Sequence, residues 1–226
     1  MKFFAYGLLA SLAAASPLVF PKSEAIELEA RQLSGSSNEL ENGNAAACPK
    51  AILIFARGST ESGNLGTLGI PLGNALKLRY GSSNVWVQGV GGPYGATLAG
   101  NFEPRGSPAA SIAEGVRLLN LANSKCPSSK VVSGGYSQGS ALIAAALSDA
   151  SSTVRNQVVG TVLFGYTKNQ QNGGGVPNYP SDRLDVFCAV GDLVCDGTLI
   201  ITAAHLSYGD EAAVEAPQFL ASKIGS

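Results

Sequence analysis

Gly135-Tyr136-Ser137-Gln138-Gly139 fits the Gly-x-Ser-x-Gly pattern, in which a sharp strand-to-helix turn exposes a serine hydroxyl and the glycines let neighbouring backbone come close. A serine held that way is a nucleophile for acyl transfer, provided that a base takes its proton. With 28 glycines in 226 residues the pattern alone is weak. Its setting gives it weight: the apolar pair Val131-Val132 precedes it and the Ala-rich stretch 141–147 follows it, a strand, a turn and a helix in the order that the mechanism needs.

The base is narrowed to one residue, because His205 is the only histidine and imidazole titrates in the range that general-base catalysis requires. A lone histidine is more often structural, yet His205 follows the serine and falls between a predicted strand and the last predicted helix. Elbow hydrolases order their triads as serine, acid, histidine, so the acid belongs between 137 and 205. Asp192 is the candidate. Asp185 falls inside a predicted strand, Asp196 lies beyond Cys195, and Asp182 is further from a strand end.

The tetrahedral intermediate of acyl transfer carries an oxyanion that preorganised donors must meet. In this architecture one donor is the backbone N–H after the nucleophile, here that of Gln138. A second is expected from an earlier strand-end loop, and Arg57-Gly58-Ser59-Thr60-Glu61 offers the N–H and hydroxyl of Ser59. A plain polar turn is the bland alternative for that loop.

These residues need a scaffold, and apolar runs alternate with longer amphipathic stretches from Cys48 onward. Strands are predicted over 51–56, 85–87, 130–134, 158–164 and 184–189, and helices over 68–80, 111–122, 138–147 and 211–224. The run Ala51-Ile52-Leu53-Ile54-Phe55-Ala56 has no polar alternation, as suits a strand covered on both faces. Strand–helix alternation points to an α/β fold with a mostly parallel sheet. In such a sheet ligands gather at the C-terminal strand ends, where the candidate residues all fall.

The start, with Lys2 ahead of an apolar run closing on Ala13-Ala14-Ala15, has the layout of a secretory signal, assigned to 1–16. The run is too short to span a bilayer, so no stable membrane insertion is expected. Residues 17–47 are polar and aperiodic and are expected to form a pro-segment or disordered arm, with a processing point near Arg31. Residues 48–226 are left as a single domain. An exported chain with four cysteines is expected to pair them. Of three connectivities, Cys48–Cys126 with Cys188–Cys195 is the one expected, which would restrain the loop carrying Asp192. Zinc is disfavoured by the single histidine and the cysteine spacing, so no metal is assigned. A net charge of -1 with 14% charged residues leaves no footprint for nucleic acid.

Taken together, Ala56 to Glu61, Gly135 to Gly139, Cys188 to Cys195 enclosing Gly191-Asp192-Leu193-Val194, and His205 resemble the fungal cutinase family in motif and order, from about Cys48 to the chain end. The resemblance implies a three-layer α/β-hydrolase of about five strands without a lid domain, secretion, no cofactor, and hydrolysis of cutin polyester or small ester substrates by Ser137, Asp192 and His205. It implies Ser59 and Gln138 as the oxyanion hole, and Asn101 as the residue orienting Ser59. Leu98, Val194, Leu199 and Ile200 lie in loops expected to flank the serine and to favour an acyl chain over a sugar. A monomer is expected. An acetylxylan esterase of the same fold is the nearest rival activity, and a non-catalytic secreted binding protein the more distant one.

Overall fold

Every side chain of the first strand, β1 (Ala51–Ala56), is buried, because helices cover both of its faces. Ile52, Ile54 and Ala56 enter one core cluster with Leu118, Leu142 and Leu163. Ala51, Leu53 and Phe55 enter a second cluster with Leu72, Leu76, Val132 and Leu220. The period-two alternation of a strand thus divides one apolar run between two cores.

The computed structural model describes residues 35–226. The expected signal at 1–16 and residues 17–34 of the expected arm lie outside the described residues. From Gly35 the chain departs from the expectation of a disordered arm. Short helix α1 (Glu39–Asn42) buries Leu40 completely, and Asn38 bridges Gln88. The Glu39 carboxylate pairs with buried Lys77 at 2.7 Å and accepts the Val87 N–H at 2.6 Å. One apolar anchor in a polar stretch has no period to read, and its ionic partner is 38 residues away.

Five strands form one parallel sheet in the order β2-β1-β3-β4-β5, with β2 Val85–Gly89, β3 Lys130–Tyr136, β4 Val158–Phe164 and β5 Leu184–Phe187. The helices are α2 (Gly66–Tyr80), α3 (Ala109–Lys125), α4 (Gln138–Asp149), α5 (Ser152–Gln157), α6 (Gly209–Ala213) and α7 (Glu215–Ile224). The closing helix expected over 211–224 is therefore two helices, broken at Val214, whose φ of -125° lies outside the helical range. The architecture is the expected three-layer α/β-hydrolase fold.

From β1 the chain moves outward to β2, then returns across β1 to form β3 on its other side. The strand order reverses between β1 and β3, and a crevice opens there beyond the strand ends. The loop after β1 carries Ser59, and the turn after β3 carries Ser137. Loops after β4 and β5 bring up the remaining candidates.

Candidate active site

Ser137 sits between β3 and α4 with φ 53° and ψ -118°, a conformation that a non-glycine residue adopts only under constraint. Its N–H donates to Phe164 O at 2.9 Å, tying the turn to β4. The flanking glycines are required by space: a Cβ on Gly139 would lie 2.1 Å from Ala56 O, and one on Gly135 would lie 2.4 Å from Gly139 O. The elbow is thereby pressed against β1 on one side and β4 on the other.

Ser137 Oγ lies 2.9 Å from His205 Nε2. On the other side of the ring, Nδ1 lies 2.8 Å from Asp192 Oδ2 and 3.0 Å from Oδ1. Ser137 is 7% exposed, while His205 and Asp192 are each 2% exposed, so the line of contacts is nearly dry where bases and acids exchange protons. The Val194 N–H donates to Asp192 Oδ1 at 3.0 Å. The His205 carbonyl accepts the Tyr136 hydroxyl at 2.8 Å, and the two rings stack at 5.3 Å.

Ser59 faces the elbow across the crevice. Its Oγ accepts from Asn101 Nδ2 at 2.9 Å and from Gln138 Nε2 at 3.1 Å. Gln138 opens α4, so its own backbone N–H is among those that the helix ladder leaves unpaired. The Ser59 loop is itself clamped: Glu61 accepts the N–H groups of Gly58 and Thr67, Arg57 Nε donates to Glu61 O, and Thr60, at φ 66°, donates its N–H to Ala96 O.

Both expected disulfides are formed, Cys48–Cys126 and Cys188–Cys195. The second closes the loop that holds Asp192, and Thr202 Oγ1 ties the same loop to the His205 segment through Gly191 O at 2.9 Å. Among the described residues no group of three or more His, Cys, Asp or Glu is placed to hold a metal ion. No helix among them is long and apolar enough to cross a membrane.

A cavity of about 350 Å³ opens onto Ser137 and His205. Leu98, Val194 and Leu199 line it as expected, but Ile200 does not. Ile200, 59% exposed, stands outside the lining, while its neighbours Leu199 and Ile201 enter it. Phe102 and Leu206 complete the apolar wall. Neither they nor Ile201 are found by sequence reasoning, because no local period marks a loop side chain that meets its neighbours only in the fold. Gly165 and Tyr208, which touch the His205–Asp192 pair, are missed for the same reason.

A family model described as Cutinase matches residues 47–224. The chain is 55% identical to a cutinase of Didymella rabiei, with the whole of both chains covered, and 53% identical to cutinase 2 of Fusarium vanettenii, covering 99% of this chain and 97% of the relative. Among solved structures, the Trichoderma reesei cutinase in complex with a C11Y4 phosphonate inhibitor aligns with a TM-score of 0.70 and 29% identity, over 91% of this chain and 86% of that one.

Proposed function

Because the chain belongs to the cutinase family and is a carboxylic ester hydrolase, we propose that it hydrolyses cutin and short-chain acyl esters through Ser137, His205 and Asp192. The observation that carries this reading is the single line of contacts from Ser137 Oγ through both ring nitrogens of His205 to Asp192, at 2.9 and 2.8 Å.

In this mechanism His205 Nε2 takes the Ser137 proton as Oγ attacks the ester carbonyl, and Asp192 holds the Nδ1–H tautomer and stabilises the imidazolium. The backbone N–H of Gln138 and the Ser59 hydroxyl meet the oxyanion. His205 then returns the proton to the departing alcohol, leaving an acyl-enzyme on Ser137. Water, deprotonated by the same imidazole, releases the acid and regenerates the serine. No cofactor enters the cycle.

The wall of Leu98, Phe102, Val194, Leu199, Ile201 and Leu206 supports an acyl chain as the occupant, since burying methylenes is favourable and burying sugar hydroxyls without partners is costly. That weighs against acetylated xylan. The two disulfides fit an oxidising, extracellular destination. We place the catalytic domain's start before Cys48, since Ser37, Glu39 and Leu40 pack onto it.

Assay of p-nitrophenyl butyrate tests the chemistry. Ser137→Ala and His205→Ala are each expected to abolish turnover with little change in thermal midpoint, and full residual activity in either variant refutes the assignment. Acid release from cutin against acetate release from acetylated xylan tests the substrate, with cutin expected to be preferred.

A further inference from the structure

The His205–Asp192 pair touches a phenol that the mechanism above leaves unused. Tyr208, 1% exposed, stands at the start of α6 and donates its hydroxyl to Asp192 Oδ2. That is the carboxylate oxygen nearer to His205 Nδ1. The same hydroxyl accepts the Ala189 N–H at 3.0 Å. Its acceptor side is thereby occupied and its one hydrogen is directed at the carboxylate.

We propose that Tyr208 is a positioning residue for ester hydrolysis, fixing the Asp192 carboxylate and drawing part of its charge away from the imidazolium that forms on His205. The inference rests on the triad reading above. A phenol that donates to a carboxylate oxygen competes with the imidazole N–H for the same lone pairs. Strengthening or weakening that donor therefore changes how strongly Asp192 stabilises the protonated ring. Carboxylate orientation is set from both sides, with the Val194 N–H on Oδ1 and the phenol on Oδ2.

The ionisable groups that face the pair are Tyr208 from α6, Tyr136 from the end of β3 and, beyond Tyr136, Glu61 from the loop after β1. Burial, followed by the bond to Asp192, holds the Tyr208 phenol well above the ordinary tyrosine range. It stays a donor wherever the esterase is assayed. Packing alone would explain a buried ring, but it would not explain a hydroxyl whose two partners are the first residue of the Cys188–Cys195 loop interior and the carboxylate within that loop.

The test is the acidic limb of the kcat/KM profile for p-nitrophenyl butyrate, where activity is lost as the base becomes protonated. Tyr208→Phe leaves the carboxylate's charge undivided, so the limb is expected to move to higher pH by about half a unit, with KM changed less than about twofold. Replacing Tyr208 by 3-fluorotyrosine, a stronger donor of the same shape, is expected to move it the opposite way. A limb that coincides with that of the wild type in both variants overturns the proposal, whatever happens to the thermal midpoint. If Tyr208→Phe fails to fold, the fluorinated enzyme decides alone. Failure of the triad reading is separately visible, as a wild type without an acidic limb or an active Ser137→Ala.

Discussion

Asn101 donates its side-chain Nδ2–H to Ser59 Oγ at 2.9 Å, and the same nitrogen donates to Leu98 O at 3.1 Å. A carbonyl can only accept, so the second contact fixes which end of the amide is nitrogen. Gln138 repeats the arrangement, with Nε2 on Thr97 O at 2.7 Å and on Ser59 Oγ at 3.1 Å. Two donors thus occupy the acceptor side of the Ser59 hydroxyl, and its hydrogen is left for a third partner. In the proposed mechanism that partner is the oxyanion.

Ser59→Ala is accordingly expected to lower kcat by roughly 10²–10³, the usual cost of one oxyanion donor, with KM nearly unchanged because the ground-state carbonyl uses the donor less. Asn101→Ala leaves the hydroxyl present but held by Gln138 Nε2 alone, and about a tenfold loss is expected. Steady-state kinetics on p-nitrophenyl butyrate decide the matter. A wild-type kcat in Ser59→Ala removes the hydroxyl from the oxyanion hole.

The two disulfides are expected to separate stability from activity. Cys48 and Cys126 are 78 residues apart and far from Ser137, so replacing both by Ala should cost about 4–5 kcal/mol in the chain-entropy account while kcat per folded molecule holds. Cys188 and Cys195 are 7 residues apart, worth about 2–3 kcal/mol by the same account. Their loop carries Asp192, so kcat should fall severalfold as the carboxylate loosens. Denaturant melts beside kinetics would show the pattern, and the reverse pattern contradicts it.

Alkaline pH should unfold the protein through its tyrosines. Burial pushes the phenols of Tyr166 and Tyr179 up to about 12, and those of Tyr94, Tyr136 and Tyr208 higher still. Below about pH 10 both folded and unfolded chains keep these protons. Between about 10 and 12 the unfolded chain releases protons that the folded one retains, so stability falls as pH rises, by about 1.4 kcal/mol per unit for each fully buried phenol. Phenolate absorbance and loss of circular dichroism should rise in one transition. Complete titration near the ordinary tyrosine value with the fold intact would contradict this account.

What the sequence discloses follows from how far each signal reaches along the chain. The elbow at Ser137 is legible because its strand, turn and helix are contiguous, and β1 because an unbroken apolar run has few other uses. His205 is legible through scarcity, as the only imidazole. Asn101 needs the family resemblance, since a single amide in a Gly- and Ala-rich loop carries no pattern. Tyr208, Phe102 and Ile201 are illegible because each acquires its role from residues brought up by other strands. Glu39 reads as part of a loose arm because Val87 and Lys77, its partners in the fold, lie in other elements, and Leu40 because the core cluster that buries it is built from other elements.

Gly165 is the sharpest such case. It follows β4 at φ 53°, and a Cβ there would lie 2.5 Å from His205 Cε1, 2.7 Å from Nδ1 and 3.1 Å from Asp192 Oδ2. Gly165→Ala therefore adds a backbone penalty of about 1–2 kcal/mol and forces the imidazole out of its place between Ser137 and Asp192. Misplacing a base by about 1 Å costs on the order of 10²-fold in rate, so kcat is expected to fall by about that factor. Gly173, at φ 59° with nothing within 4 Å of its would-be Cβ, isolates the backbone penalty. Gly173→Ala should lower the thermal midpoint by a few degrees and leave kcat alone. If Gly165→Ala matches it in both measurements, the ring tolerates the methyl, and the close approach of β4 is not what holds His205 in line.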